Sequence, residues 1–362
     1  MKLLYLDLNH WIELTKARLG RSHANPEYYT LYSEIQRRTQ DSSLAVPLSE
    51  AHYAEIRDRI TDVAQRGELA LTMSELSMYQ TLPPRHLVVV AELVGAIAGV
   101  IRRPSPRAGD TPGLGYGAGY AQCGRPLDGR LVGQTQPVEH VATMLREVVL
   151  QIEAAVGGGW HYSRREAMSE SDWQSALTGL FNEATEFMIL RGPRPEEMGD
   201  LEAYGYDPAA LAQLVVDVTV RERRMKEALL AKAPNDRRPF DVASCAALVH
   251  DDGPRMLGQA CLELGLPATW AGGFDKARMT AIVDRTPVLD VERALRMRRL
   301  KNGDYRIAGN DLYDMAALGV AVAMCDVVVT DKSAASMLRA AGIDKRHDCV
   351  IGARPTEVLA GF

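Results

Sequence analysis

Residues 3–14, LLYLDLNHWIEL, decide how the rest of the chain is read. Leu3, Leu4, Tyr5 and Leu6 form a short apolar run of the kind that makes a buried strand. Asp7 falls where that strand should run out into a loop, ahead of a helix opened by Trp11 and Ile12. In open α/β sheets, ligands bind outside the carboxyl ends of the strands. One carboxylate there does little alone, so the question is what else in the chain converges on it.

Moving outward, residues 11–20 and 26–38 read as helices, and residues 44–48 as a second short strand. Ser49 is a good helix N-cap and opens SEAHYAEIRDRI. Strand, cap and helix thus repeat the first unit, as an α/β domain requires. From about Thr61 the texture becomes helical without an alternating strand, clearest over 87–101, 138–155, 171–191 and 208–232. Between the first two of these, residues 103–136 are dense in Gly and Pro and read as a long loop. Gly113, Gly115 and Ala118 have GxGxxA spacing there, but no strand precedes them, which removes the context a dinucleotide site needs. The α/β texture returns with a helix over 310–324 and strands at 327–330 and 350–351. The expected fold class is therefore α/β. A parallel-sheet core is assembled from residues 1–60 and 285–362, with a mainly α-helical insertion over 61–284.

Composition narrows the function classes. The chain has 362 residues, with 42 Lys and Arg against 47 Asp and Glu, a formal net charge of −5. That balance excludes a blanket basic surface, though not a local basic patch. Asp7 and Asn9 interrupt the N-terminal apolar run too early for a signal peptide, and the apolar window 87–101 contains Glu92 and is short for a bilayer. A soluble cytoplasmic protein is expected. Five cysteines without a CxxC pair argue against a disulfide framework or a zinc ribbon.

Several acids sit where the carboxyl edge of the sheet would lie. Asp311 and Asp314 are three apart at the start of a helix, where the dipole favours negative charge. Asp331 follows the strand Val327–Val329 as Asp7 follows the first, whereas Asp326 precedes that strand and belongs to the opposite edge. Glu55 lies on the helix capped by Ser49, with Glu50 as an alternative, and His52 could position phosphate or simply pack. Carboxylates gathered without a cation repel one another. Oxygen-only donors suit Mg²⁺ or Mn²⁺, and such sites suit phosphodiester chemistry.

These blocks, LDLN at 6–9, VPLSEAHYAE at 46–55 and NDLYDMAALGVAVAMCDVVVTDK at 310–332, resemble a PIN-domain nuclease. In that family an Asp follows the first strand, a Ser and a later Glu follow the second, and one or two Asp open the helix before a strand ending in T-D. The resemblance covers about a third of the chain, and more than two hundred residues separate the second and third acids. It implies Asp7, Glu55, Asp311 or Asp314, and Asp331 as catalytic metal ligands. Asn9, Ser49, Asn310 and Thr330 would be supporting polar groups. It also implies Mg²⁺- or Mn²⁺-dependent endonucleolytic cleavage, RNA ahead of DNA, and it leaves room for a protein partner or inhibitor.

Arg293, Arg296, Arg298, Arg299 and Lys301 precede the third acidic block and could hold phosphates beside the scissile bond. Arg221, Arg223, Arg224 and Lys226 form a second basic run, and Tyr305 and Arg306 could meet a base. Asn9 stands where a haloacid-dehalogenase-like phosphatase needs a second Asp. HExxH, P-loop and G-x-S-x-G motifs are lacking. The competing reading is a non-catalytic scaffold on the same fold.

Overall fold

In a computed structural model, residues 1–104, 112–118, 186–194, 208–232, 239, 241–245, 253–354 and 357 are described. Most of the expected 103–136 loop, the expected helix at 138–155 and most of that at 171–191 lie outside them. The chain opens with β1 (Lys2–Leu6), α1 (Leu8–Arg18), α2 (Pro26–Gln40), β2 (Leu44–Ala45), α3 (Glu50–Arg59) and α4 (Val63–Ser77). Then come β3 (Gln80–Thr81), α5 (Arg85–Val100), β4 (Gly115–Tyr116) and α6 (Pro208–Lys232). The remainder comprises α7 (Gly253–Glu263), α8 (Lys276–Asp284), α9 (Pro287–Lys301), α10 (Asn310–Met324), β5 (Val327–Val329), α11 (Lys332–Ala340), α12 (Ile343–Arg346) and β6 (Val350–Gly352).

The main sheet is parallel throughout, in the order β2-β1-β5-β6, so the two ends of the chain pair directly. Leu4 faces Val327, Tyr5 faces Val328 and Leu6 faces Val329. Asp326 supports the opposite edge, its Oδ2 accepting from the Leu3 amide at 2.7 Å. Alternation along the strands makes three layers. Leu4, Leu6, Val327 and Val329 pack with Trp11, Leu14, Leu31, Ile35 and Met73 on one face. Tyr5, Val328 and Ile351 pack on the other face with apolar residues of α5, α7, α9 and α10. Full burial of a large apolar side chain such as Trp11 or Leu14 stabilises by roughly 1.5–3 kcal/mol each. Gly319 lets α10 cross α9 closely, since a Cβ there would meet Val288 Cγ1 at 3.0 Å.

Three local expectations are corrected. Helix α1 starts at Leu8, with no loop after Asp7, because Asp7 itself takes the extended N-cap conformation. The second strand is only Leu44–Ala45, and Pro47, lacking an N–H, lies beyond its end. In the region expected to lack strands, β3 and β4 pair antiparallel, each too short to leave an alternating pattern. The apolar residues of α5 and α7 share one continuous cluster with those of α9 and α10. Among the described residues, no helix is long and apolar enough to cross a membrane.

Candidate active site

Because β1, β2 and β5 run parallel, the residues that follow them share one edge of the sheet. Asp7 ends β1, and its amide donates to the Val329 carbonyl at 2.9 Å, which locks that end to β5. Thr330, buried after β5, donates from Oγ1 to Asp7 Oδ2 at 3.4 Å. Asp331 caps α11, its Oδ1 accepting from the amides of Ser333 at 2.7 Å and Ala334 at 3.1 Å. Glu55 is 3% exposed on α3 and accepts from Arg59 Nη1 at 2.6 Å. Asp314 comes in from α10, with Arg299 Nη2 at 3.8 Å.

The acids sense one another. Burial lifts Asp314 to about 7, and repulsion from Glu55 and Asp7 adds to it against the pull of Arg299. Burial likewise lifts Glu55 to about 7, opposed by the Arg59 hydrogen bond and reinforced by Asp7. Asp7 is raised chiefly by burial, with His10 lowering it and Asp331 raising it. Asp7, Glu55 and Asp314 therefore form one coupled set, with Asp331 beside Asp7.

Asp311 is committed elsewhere. Its Oδ1 accepts from the Tyr305 hydroxyl at 2.5 Å and its Oδ2 from the Ala308 amide at 2.8 Å, while Arg299 Nη1 donates to its main-chain carbonyl at 2.6 Å. Those bonds fix the start of α10. Of the two aspartates the sequence left open, Asp314 is the one coupled most strongly to the set.

His52 does not face a substrate. It is fully buried, stacked on Tyr5, and completes a capping box with Ser49. Ser49 is buried as that cap, whereas Asn9 and Asn310 are exposed at the starts of their helices. The basic run of α9 is also reassigned, because its helical spacing turns much of it inward. Arg296 is 2% exposed against Glu222, and Arg299 is buried on Asp311 and Asp314. Arg293 is paired with Asp284 and Asp290. Arg298 and Lys301 remain partly or fully exposed. In the second run, Arg223 donates to the Ile307 carbonyl and Lys226 to those of Asn302 and Tyr305.

Three participants were given no site role from the sequence. The Tyr5 hydroxyl hydrogen-bonds Ser49 and is pushed far above 10 by burial and then by Asp7, with Glu55 and Asp314 adding to the effect. His10 places Nδ1 2.6 Å from the Tyr28 hydroxyl and Nε2 3.2 Å from the Thr330 carbonyl. A carbonyl can only accept, so Nε2 carries the proton and Nδ1 accepts from Tyr28. Arg59, four residues after Glu55, was readable as a helical ion pair. His10 and Tyr5 gave no such signal.

Among the described residues, no three His, Cys, Asp or Glu side chains stand in a ready-made metal-chelating arrangement. The donor chemistry nonetheless fits a hard divalent ion: the groups are all carboxylate oxygens, held in an apolar setting where their mutual repulsion is only partly offset by Arg59 and Arg299. No family model, curated protein or solved structure matches the chain.

Proposed function

We propose that this protein is a divalent-metal-dependent endonuclease with a PIN-like core, acting on RNA in preference to DNA. The observation that carries this reading is the coupling of Asp7, Glu55 and Asp314, with Asp331 beside them, at the carboxyl edge of a parallel sheet. Perturbed carboxylates clustered at such an edge are candidates for a functional site on physical grounds. Asp7, Glu55, Asp314 and Asp331 would hold Mg²⁺ or Mn²⁺, and Glu55 would exchange its bond to Arg59 for that role. A bound ion of this kind supplies a water of lowered pKa and neutralises charge on the phosphate. The carboxylates orient the attacking water by accepting its hydrogen bonds and take up the proton it gives off. Arg59, once released, offers its guanidinium to a non-bridging phosphate oxygen. Thr330 bonds the Asp7 carboxylate, and His10, paired with Tyr28, holds the Thr330 carbonyl.

Labelled single-stranded RNA and DNA incubated with the protein and Mn²⁺ or Mg²⁺ test this reading, with Asp7→Asn as control. RNA cut by wild type and left intact by the variant is the expected result. Substrates surviving both proteins would defeat it. A second reading, a non-catalytic nucleic-acid-binding scaffold, draws on the Arg59–Glu55 bond and on the lack of a ready-made chelating group among the described residues. An Mn²⁺-dependent rise in melting temperature in wild type, absent from Asp331→Asn, would count against the scaffold.

A further inference from the structure

The first turn of α3, the Leu82–Arg85 segment, α6, α9 and α10 line a half-open cavity of about 230 Å³. A single water needs only ~10–15 Å³ of such space, and apolar cavities of about 150 Å³ accept a benzene ring. The walls are mostly apolar, with Pro83, Pro84, Val218, Leu312 and Met315 among them. Most of the polar groups at the cavity are already engaged. Arg85 grips Glu292 with two hydrogen bonds, Nη2 to Oε2 at 2.7 Å and Nε to Oε1. Arg296 stands 3.0 Å from Glu222 as an ion pair, its Nε and Nη1 making no hydrogen bond among the described residues, and Ser49 is occupied in the α3 cap.

Of the two carboxylates at the cavity, Glu50 is the one that no described donor bonds. It lines the cavity at the first position of α3 and makes no hydrogen bond or ion pair among the described residues. Glu50 is partly buried, and burial holds its carboxyl up at about 7, against the pull of Arg85. A carboxylate has two acceptor oxygens and no donor. The group that satisfies both at once is a pair of adjacent N–H donors on a flat apolar body. Among the four RNA bases, only guanine presents such a pair, N1–H beside the N2 amino group. Tyr313 lines the cavity and precedes Asp314; its hydroxyl is raised chiefly by burial and then by Asp58, against Arg57, with Glu50 and Glu55 adding less.

Resting on the nuclease reading, we infer that this cavity takes a guanine base of the RNA, its N1–H and N2–H edge held by Glu50 against the Tyr313 and proline walls, so that cleavage falls beside guanosine. Single-stranded bases are commonly read in this way, by edge hydrogen bonds and contact with an aromatic face.

The test has two arms. In the first, melting of the metal-free protein is followed with guanosine, inosine or adenosine added. Guanosine should raise the melting temperature, inosine, lacking the N2 amine, should do so less, and adenosine should leave it unchanged. Glu50→Gln should lose the guanosine response while melting no lower than wild type. Equal responses to guanosine and adenosine, no response to guanosine, or a guanosine response that survives Glu50→Gln would overturn the inference. In the second arm, Mn²⁺-dependent cleavage is mapped on RNAs carrying a single guanosine. Preference for that position should fall roughly 10- to 100-fold in Glu50→Gln, as expected for loss of a bidentate base contact. Cleavage indifferent to base would sink the guanine pocket and spare the nuclease. Selective guanosine binding with no cleavage of any RNA would do the reverse.

Discussion

His52 donates from Nε2 to the carbonyl oxygen of Leu6 at 2.9 Å, and this one bond ties the helix of the second unit to the strand that ends at Asp7. The tautomer follows from the other nitrogen, because Nδ1 accepts from the Ser49 amide at 3.0 Å. Position 52 therefore sets the distance between the residues that carry Asp7 and Glu55.

His52→Ala would leave the Leu6 carbonyl and the Ser49 amide unpaired and open a cavity against Tyr5 and Trp11. A loss of about 2–4 kcal/mol in urea unfolding is expected. Affinity for RNA per folded molecule should not change, and a selective loss of affinity without lost stability would return His52 to the substrate.

Burial lowers the His52 ring to about 4. In the unfolded chain it titrates near 6.5, so the stability it protects is complete above that value and drains away as pH falls from 6.5 toward 4. Wild type should show that acid loss in chemical denaturation. His52→Ala, already weaker, should show it less steeply.

Glu55 and Asp314 act with the opposite sign. Both are lifted to about 7 from ordinary values near 4.5 and 3.8. Their contribution is full below the unfolded values and is lost as pH rises through about 7. For Glu55 this is on the order of 3 kcal/mol at most. Glu55→Gln and Asp314→Asn should each flatten the decline of metal-free melting temperature between pH 5 and 8, and an unchanged slope would show that the repulsion is not there.

Asp311 and Asp314 separate in their variants. Asp311→Asn weakens the bonds from Tyr305 and Ala308 and should cost roughly 1–3 kcal/mol while the Mn²⁺-dependent rise in melting temperature persists. Asp314→Asn should abolish that rise and RNA cleavage without a comparable loss of stability. The reverse pattern would exchange their roles.

Arg299 and Arg298 are neighbours in sequence with different fates. Arg299→Ala leaves Asp311 and Asp314 uncompensated and should destabilise by about 3–5 kcal/mol. Arg298→Ala should stay within roughly 0.5 kcal/mol. If α9 touches nucleic acid, neutralising Arg298 and Lys301 together should flatten the salt dependence of RNA binding. No change in slope would remove α9 from the interface.

The parallel α/β arrangement was readable because its strands are short continuous apolar runs, and the positions of Asp7 and Asp331 followed from where those runs stop. The tight start of α1 was hidden, since Asp7 serves both as strand end and as cap. The α9 arginines looked free to hold phosphates for a related reason. A charge run read along the chain does not reveal that Glu222, Asp311 and Asp314 stand where Arg296 and Arg299 must bury.

By itself the sequence determined the two strand-then-helix units at the start of the chain, the α/β character shared by its two ends, and the positions of Asp7 and Asp331 after their strands. Those depend on local periodicity and on the direction in which a strand delivers its last residue. Only the tertiary structure decided that Asp314 joins the set while Asp311 binds Tyr305, that His52 is a buried clamp, and that Glu50 opens on a cavity. Each of these depends on which groups from distant segments occupy the neighbouring space, and desolvation and charge pairing there are fixed by packing, not by spacing along the chain.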